Sequence, residues 1–211
     1  MQLTKFTHSC VRFDDGDNSL VIDPGVFSEV DAALDGASAV LVTHEHFDHL
    51  DRDKVRAALK ADSRLRVYAP ASVAKQFGAG DQVVTVESDS EFEAAGFTVA
   101  TYGGQHALIH PAIPVVANLG YLVGGVYHPG DSFAVPPAPV SLLLLPTIAP
   151  WSSGREVIDF AVSVRAPRVH QIHDHIATDV YAGIVEGHIT RIAAPFGITF
   201  EHLDTGRTVA V

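Results

Sequence analysis

The chain has 211 residues, 47% hydrophobic and 18% charged. That length fits one domain or at most two small ones, buries about 70% of the unfolded surface, and with this composition excludes a wholly disordered protein. Acidic residues outnumber basic ones 25 to 14, and the formal net charge of −11 makes a poor partner for a phosphate backbone or an anionic bilayer. Cys10 is the only cysteine, so no internal disulfide or multi-cysteine metal site can form. Met1 to Cys10 has no apolar core of a signal peptide. The most apolar long stretch, Ile109 to Tyr127, is interrupted by Pro111, Pro114, Asn118 and the Gly124-Gly125 pair, so it does not read as a membrane span. The expectation is a single cytoplasmic domain over residues 1–211, without nucleic-acid or membrane partners.

In chain order, Val11 to Asp14 and Ser19 to Asp23 read as a hairpin around the polar turn Asp15-Gly16-Asp17-Asn18. Ala39 to Thr43 is a continuous apolar run, the pattern of a strand covered on both faces. Asp51 to Lys60 has helical spacing with Asp51 as N-cap. Arg66 to Ala69 reads as a strand and Ala71 to Phe77 as a short helix. Strands follow around Val83 to Val86, Glu91 to Ala95, Phe97 to Tyr102, Leu119 to Val123 and Gly125 to His128. Ser141 to Leu145 is a buried strand, and Ser153-Gly154-Arg155-Glu156 is a capping box opening a helix to about Val164. Arg168 to His173 is a further strand, followed by a helix from Thr178 to Glu186. Two mostly β halves, each followed by helices, imply sheets packed together with helices outside.

Twelve histidines is a high count, and they are unevenly spread. The decisive segment is Thr43-His44-Glu45-His46-Phe47-Asp48-His49, between the end of a strand and the start of a helix. Loops in such places commonly carry functional groups on a rigid sheet. Residues two apart in an extended stretch point the same way, so His44 and His46 can present both imidazoles to one metal. The following turn swings Asp48 and His49 to another side, where a second ion could sit. Imidazole and carboxylate suit zinc, iron, manganese or nickel. By chance the pattern HxHxDH would arise roughly 0.003 times in a chain of this composition.

HxHxDH after a strand resembles the signature of the metallo-β-lactamase superfamily. The resemblance continues in Tyr102-Gly103-Gly104-Gln105-His106, in His128-Pro129-Gly130-Asp131-Ser132 and in Val169-His170-Gln171-Ile172-His173-Asp174. Thr7-His8-Ser9-Cys10 and Ile22-Asp23-Pro24-Gly25 resemble the branch that contains L-ascorbate-6-phosphate lactonase and uncharacterised hydrolases. The resemblance implies an α+β fold, a four-layer αββα sandwich of two mixed sheets with helices outside and the metals at one edge between the sheets. It further implies that His44, His46 and His106 hold one metal, that Asp48, His49 and His173 hold the second, and that Asp131 bridges them. A hydroxide between two divalent ions would then supply the nucleophile, without Ser or Cys.

Alternatives remain open at several positions. His110 competes with His106, and His170 and His175 compete with His173. On a strand, His173 and His175 share a face and His170 points away, so His175 is expected as a pocket neighbour and is named as proton donor. Asp23 either fixes the tautomer of a ligand imidazole or closes an Asp-Pro turn. His8 either lines the pocket or is structural. Trp151 could wall a substrate site, and Arg52 and Arg155 could meet an anion, although packing and solvated surface charge are the simpler roles. His188 and His202 carry no motif.

The expected activity is metal-dependent hydrolysis of an ester, lactone, phosphoester or amide of a small molecule. Two divalent ions are expected, zinc first, with Asp48, Asp131 and His175 named as catalytic. The competing readings are a mononuclear iron dioxygenase on the same scaffold and a non-enzymatic metal-binding protein. A homo-oligomer would be ordinary for a small enzyme.

Overall fold

Successive strand residues point to opposite faces, and the central strands here are buried on both, so each sheet needs a covering layer on each side. The computed structural model, which describes residues 1–78 and 80–211, provides two seven-stranded sheets. The first holds β1 (Gln2–Lys5), β2 (Val11–Asp15), β3 (Asn18–Ile22), β4 (Ala39–Leu41), β5 (Arg66–Ala69) and β6 (Val83–Thr85) in sequence order. The second runs β7 (Glu91–Ala94), β8 (Phe97–Gly103), β9 (Leu119–Val123), β10 (Val126–His128), β11 (Leu142–Pro146), β12 (Arg168–Ile172) and β13 (Thr199–Phe200). The last strand, β14 (Thr208–Ala210), returns to the first sheet and pairs with β1. Both sheets are mixed: β1 to β3 and β7 to β10 pair antiparallel, whereas β3 to β6 and β10 to β13 pair parallel.

The alternation assigns the layers. Leu3, Phe13, Ile22 and Leu41 of the first sheet meet Val99, Tyr121, Val123 and Leu144 of the second in a shared core. The opposite face of the first sheet (Val21, Val40, Val67) is covered by α1 (Val30–Leu34), α2 (Arg52–Ala61) and α3 (Ala71–Phe77) through Ala33, Val55 and Val73. The opposite face of the second (Leu143, Leu145, Val169) is covered by α4 (Gly154–Val164) and α5 (Asp179–Ala193) through Val157, Phe160, Val185 and Ile189. The order is helix, sheet, sheet, helix, as expected. Among the described residues, no helix is long and apolar enough to cross a membrane.

The predicted caps form. The Asp51 carboxylate accepts from the Lys54 amide, and Ser153 and Glu156 make the reciprocal capping box of α4. The hairpin turn is shorter than expected, because Asp15 and Asn18 themselves pair and only Gly16 and Asp17 remain between the strands. Gly16, at φ 60°, supplies the left-handed position that a two-residue turn needs. Helix α5 runs seven residues beyond the expected Glu186, held by Ile189 and Ala193 against the second sheet. Strands β1, β13 and β14 and helix α1 are additional. Each is short, and its pairing or cover comes from residues distant in sequence.

Candidate metal centre

Strand β4 stops two residues before the expected Thr43 because that residue's backbone is used elsewhere. The Thr43 amide donates to Asp23 Oδ1 (2.8 Å), and its carbonyl accepts from Leu119 of the other sheet (3.0 Å). The chain released there, 44–51, lies against the loop after β3. Val26 donates to Phe47 O and Asp51 donates to Pro24 O, zipping the loops together. Gly25 is required at this crossing, since a Cβ there would fall 1.8 Å from the Asp48 carbonyl oxygen.

Two groups of ligand-type atoms result: His44, His46, His106 and Asp131, and His8, Asp48, His49 and His173. Within each, one atom per residue lies within 4.8 Å of the others. Asp131 belongs to both neighbourhoods, with Oδ2 3.2 Å from His106 Nε2 and from His173 Nε2 and Oδ1 3.0 Å from His49 Nε2. All seven residues expected as ligands are therefore brought together.

Hydrogen bonds outside the cluster set the tautomers. His49 donates from Nδ1 to Asp23 Oδ2 (2.7 Å), and His173 donates from Nδ1 to the Ile148 carbonyl (2.7 Å). His106 donates from Nδ1 to the Ala107 carbonyl. The Thr43 hydroxyl donates to Asp23 Oδ2 (2.7 Å) and accepts from His44 Nδ1 (2.9 Å). Four imidazoles thus turn Nε2 inward. His46 instead presents Nδ1, 3.1 Å from His44 Nε2. Converging lone pairs repel unless a cation or proton lies between them. Buried His49 Nε2, His173 Nε2 and Asp131 Oδ1 make no hydrogen bond. Such groups are costly to leave unmatched, and all three face this cluster.

Three site residues sit in the left-handed region although none is glycine: His8 at φ 66°, Asp23 at φ 51° and His173 at φ 59°. Each costs backbone strain of order 1–3 kcal/mol, which the surroundings must hold in place. The His173 amide donates to the His8 carbonyl (3.2 Å), so two strained residues brace each other. Because β12 ends at Ile172 and His173 then turns left-handed, strand parity does not carry on to His175.

Asp131 is held from its own turn. Asn118, fully buried, accepts from the Asp131 amide (3.0 Å) and donates to the Pro129 carbonyl (2.9 Å). His128 donates to the Ser9 carbonyl (2.8 Å) and accepts from the Gly130 amide (3.1 Å). Gly130, at φ 60°, has no room for a side chain, since a Cβ would lie 2.4 Å from Asn118 Oδ1. The Trp151 indole donates to Asp131 Oδ2 (2.8 Å).

Burial and proximity set the charges. Burial drives the buried His44 well below the ordinary histidine range, and does the same to His8, lowered to about 4. Burial acts downward on His49 as well, but Asp131 and Asp23 outweigh it and raise the imidazole well above its usual range. For His173 burial is overcome by Asp131 and Asp48, and the value rises to about 9. Burial would raise Asp131, but His49 and His173 hold it well below the usual carboxylate range. In the metal-free protein, then, protons on His49 and His173 supply the positive charge that the carboxylates demand.

The competing residues separate cleanly. His110 is exposed, whereas His106 is buried in the cluster. His170 is buried on β12 and donates to the Glu201 carbonyl (2.7 Å). His175 departs from expectation: it is exposed, 5.3 Å from the Phe27 ring, and is absent from the pocket wall. His188 and His202 are exposed, and Arg52 and Arg155 do not line the pocket. Cys10 is fully buried, and burial pushes its thiol up, away from reactivity. Sequence reasoning gave no role to Thr43, Gly25, Asn118 or His128. Thr43 adjoins the motif, and Gly25 and His128 lie within the segments that carry the resemblance, whereas Asn118 had no motif around it.

The cluster floors a cavity of about 340 Å³ walled by Phe27, Phe47, Ile109, Pro150, Trp151 and Ile176. Two face-to-face mixed sheets with outer helices and a buried histidine-aspartate cluster at the strand ends define the class: a metal-site αββα protein. Residues 2–173 match the beta-lactamase superfamily domain, and the chain belongs to that family. It is 38% identical over 198 residues to Protein Rv0786c of Mycobacterium tuberculosis, covering 91% of this chain and 92% of that one. It is 30% identical over 140 residues to a UPF0173 metal-dependent hydrolase of Thermus thermophilus, covering 59% of this chain and 58% of the relative. The structure of Igni18, a metallo hydrolase from Ignicoccus hospitalis, superposes with a TM-score of 0.74 at 17% identity, over 99% of this chain and 97% of that one. Identity at that level speaks to the fold alone.

Proposed function

We propose that this member of the superfamily is a metal-dependent hydrolase that uses two divalent ions, zinc first, to cleave an ester, lactone, phosphoester or amide of a small molecule. His44, His46 and His106 would hold one ion, Asp48, His49 and His173 the other, and Asp131 both. The supporting observation is the facing pair of ligand groups, in which His49 Nε2, His173 Nε2 and Asp131 Oδ1 are buried and aimed inward without hydrogen-bond partners. Bound there, the ions supply Lewis acidity and a water whose pKa falls toward neutrality.

The chain's own part is preorganisation. Asp23 and Thr43 hold His49 and His44 in the tautomers that leave Nε2 unprotonated. His8 Nε2, 3.3 Å from Asp48 Oδ2, donates to that carboxylate and directs its orientation. Trp151 fixes one oxygen of Asp131 and, with its neighbours, limits water above the cluster. Exposed His175 is not assigned the proton-donor role.

Elemental analysis beside a panel of esters, lactones, phosphoesters and amides tests this reading. The expected result is about two equivalents of zinc or manganese per chain. His46→Ala and Asp131→Ala should lose metal and turnover while keeping the far-ultraviolet circular dichroism of the fold. Unchanged turnover in both variants would sink the proposal. One equivalent of iron with oxygen-dependent turnover would replace it with mononuclear oxidation.

A further inference from the structure

The wall above the cluster has a one-sided chemistry. Its residues other than cluster members are Phe27, Phe47, Ile109, Pro150, Trp151 and Ile176, without a Lys or Arg among the described lining. Phe47 and Ile176 are 61% and 48% exposed, an unusual placement for large apolar side chains unless something apolar covers them. The cavity volume equals about eleven water molecules at liquid density, room for a small acyl group. A charge on the substrate away from the reacting bond would lose its hydration against these apolar side chains, which offer it no counter-charge of their own. The overall charge of −11 adds long-range repulsion of anions.

The wall is also poor in proton donors. Among the described lining residues outside the cluster, Trp151 alone carries a side-chain N–H or O–H, and that proton is committed to Asp131 Oδ2 at 2.8 Å. An amine leaving an amide must be protonated as it departs, whereas an alcohol or phenol with a lower pKa needs less help.

We propose that the substrates are neutral carboxylic esters or lactones bearing an apolar acyl group, selected by this aromatic and aliphatic wall over amides, phosphoesters and anionic esters. The inference rests on the hydrolase reading and narrows it. In the reaction the water oxygen bonds to the acyl carbon, and the acyl–oxygen bond breaks with its electron pair leaving on the alcohol oxygen. That oxygen takes up a proton from the water, and the products are the carboxylic acid and the alcohol, which in a lactone stay in one molecule.

The test uses the zinc-loaded chain with 4-nitrophenyl acetate, butyrate and hexanoate, mono-4-nitrophenyl adipate, hexanoyl-4-nitroanilide and 4-nitrophenyl phosphate. The value of kcat/KM should rise about fourfold per added methylene until the cavity fills. Hexanoate should exceed the equally long but charged adipate by about tenfold or more. Phe47→Arg should close that gap, since it places a cation on the wall. Preference for adipate, phosphate or the anilide would overturn the inference and leave the hydrolase reading standing. Hydrolysis of none of these or of the wider panel would instead count against the hydrolase reading.

Binding gives a second readout that is independent of turnover. In the metal-free chain, heptan-2-one should quench the single tryptophan, Trp151, at lower concentration than adipate does. Equal or reversed affinities would overturn the apolar assignment whatever the activity.

Discussion

Asp23 does three things with two oxygen atoms. It accepts from the Thr43 amide, from the Thr43 hydroxyl and from His49 Nδ1, and it does so fully buried and in a left-handed backbone conformation. Asp23→Asn keeps the shape but replaces one acceptor oxygen with a donor, so His49 loses the partner that fixes its tautomer. Metal affinity should fall about 10–100-fold, as for other lost partners of ligand imidazoles, measured by competition with a chromophoric chelator. Unchanged affinity would mean that Asp23 serves only the turn. Protons and metal also compete at this scale. His49 is raised well above its usual range and His173 to about 9 in the metal-free protein, so both are charged at pH 7 and must deprotonate to become ligands. Metal binding should therefore release protons, and affinity should tighten as pH rises toward 9 and weaken as it falls. Calorimetry in buffers of different ionisation enthalpy reads the release directly, and buffer-independent heats would contradict it.

At the scale of elements, the site is assembled by chain ends that refuse to continue their ladders. Strand β4 yields Thr43 to Asp23, β12 yields His173 to a left-handed turn, and the turn after β10 tightens around Gly130. Each departure requires a residue that tolerates it or neighbours that enforce it. At Gly130 a methyl group would meet Asn118 Oδ1 and Thr43 Cβ at 2.4 and 2.7 Å. Gly130→Ala should destabilise the fold by about 1–3 kcal/mol in urea titration and reduce metal content, because Asp131 follows directly. The capping box of α4 makes a contrasting case. Ser153→Ala removes the acceptor of the Glu156 amide, and stability should drop by about 1 kcal/mol with metal content retained. Loss of metal in that variant would mean that α4 also sets the Trp151 loop.

Over the whole molecule, the cluster ties distant parts together. His8 comes from the loop between β1 and β2, His44 to His49 from the loop after β4, His106 and Asp131 from the second sheet's loops, and His173 from the end of β12. Ions bound there act as cross-links present only in the folded state. At a metal concentration 100 times the dissociation constant, stabilisation is about 2.7 kcal/mol, or about 5–10 °C in melting temperature for a chain of this size. Chelation should lower the melting temperature by that amount, without unfolding the protein at 25 °C, because the three apolar clusters do not depend on the metal. Coincident loss of metal and of secondary structure at 25 °C would favour a purely structural role for the ions.

How much of this was written along the chain depends on the range of the interaction responsible. The HxHxDH segment, the caps at Asp51 and Ser153 and the apolar runs of β4 and β11 are local patterns, governed by neighbours within a few residues, and the sequence determined them together with the sandwich they imply. Ligand types were equally legible, since imidazole and carboxylate chemistry belongs to the side chain. The tertiary structure decided which histidines converge: His106 buried and His110 exposed, His173 turned inward by a left-handed backbone and His175 left outside against Phe27. It also decided that Asn118 and His128 would grip the Asp131 turn, and that six apolar side chains from separate loops would close over the cluster. Those outcomes depend on hydrogen bonds and contacts between residues far apart in the chain, and on backbone strain that surrounding packing must hold in place. Spacing in a single sequence carries no record of either.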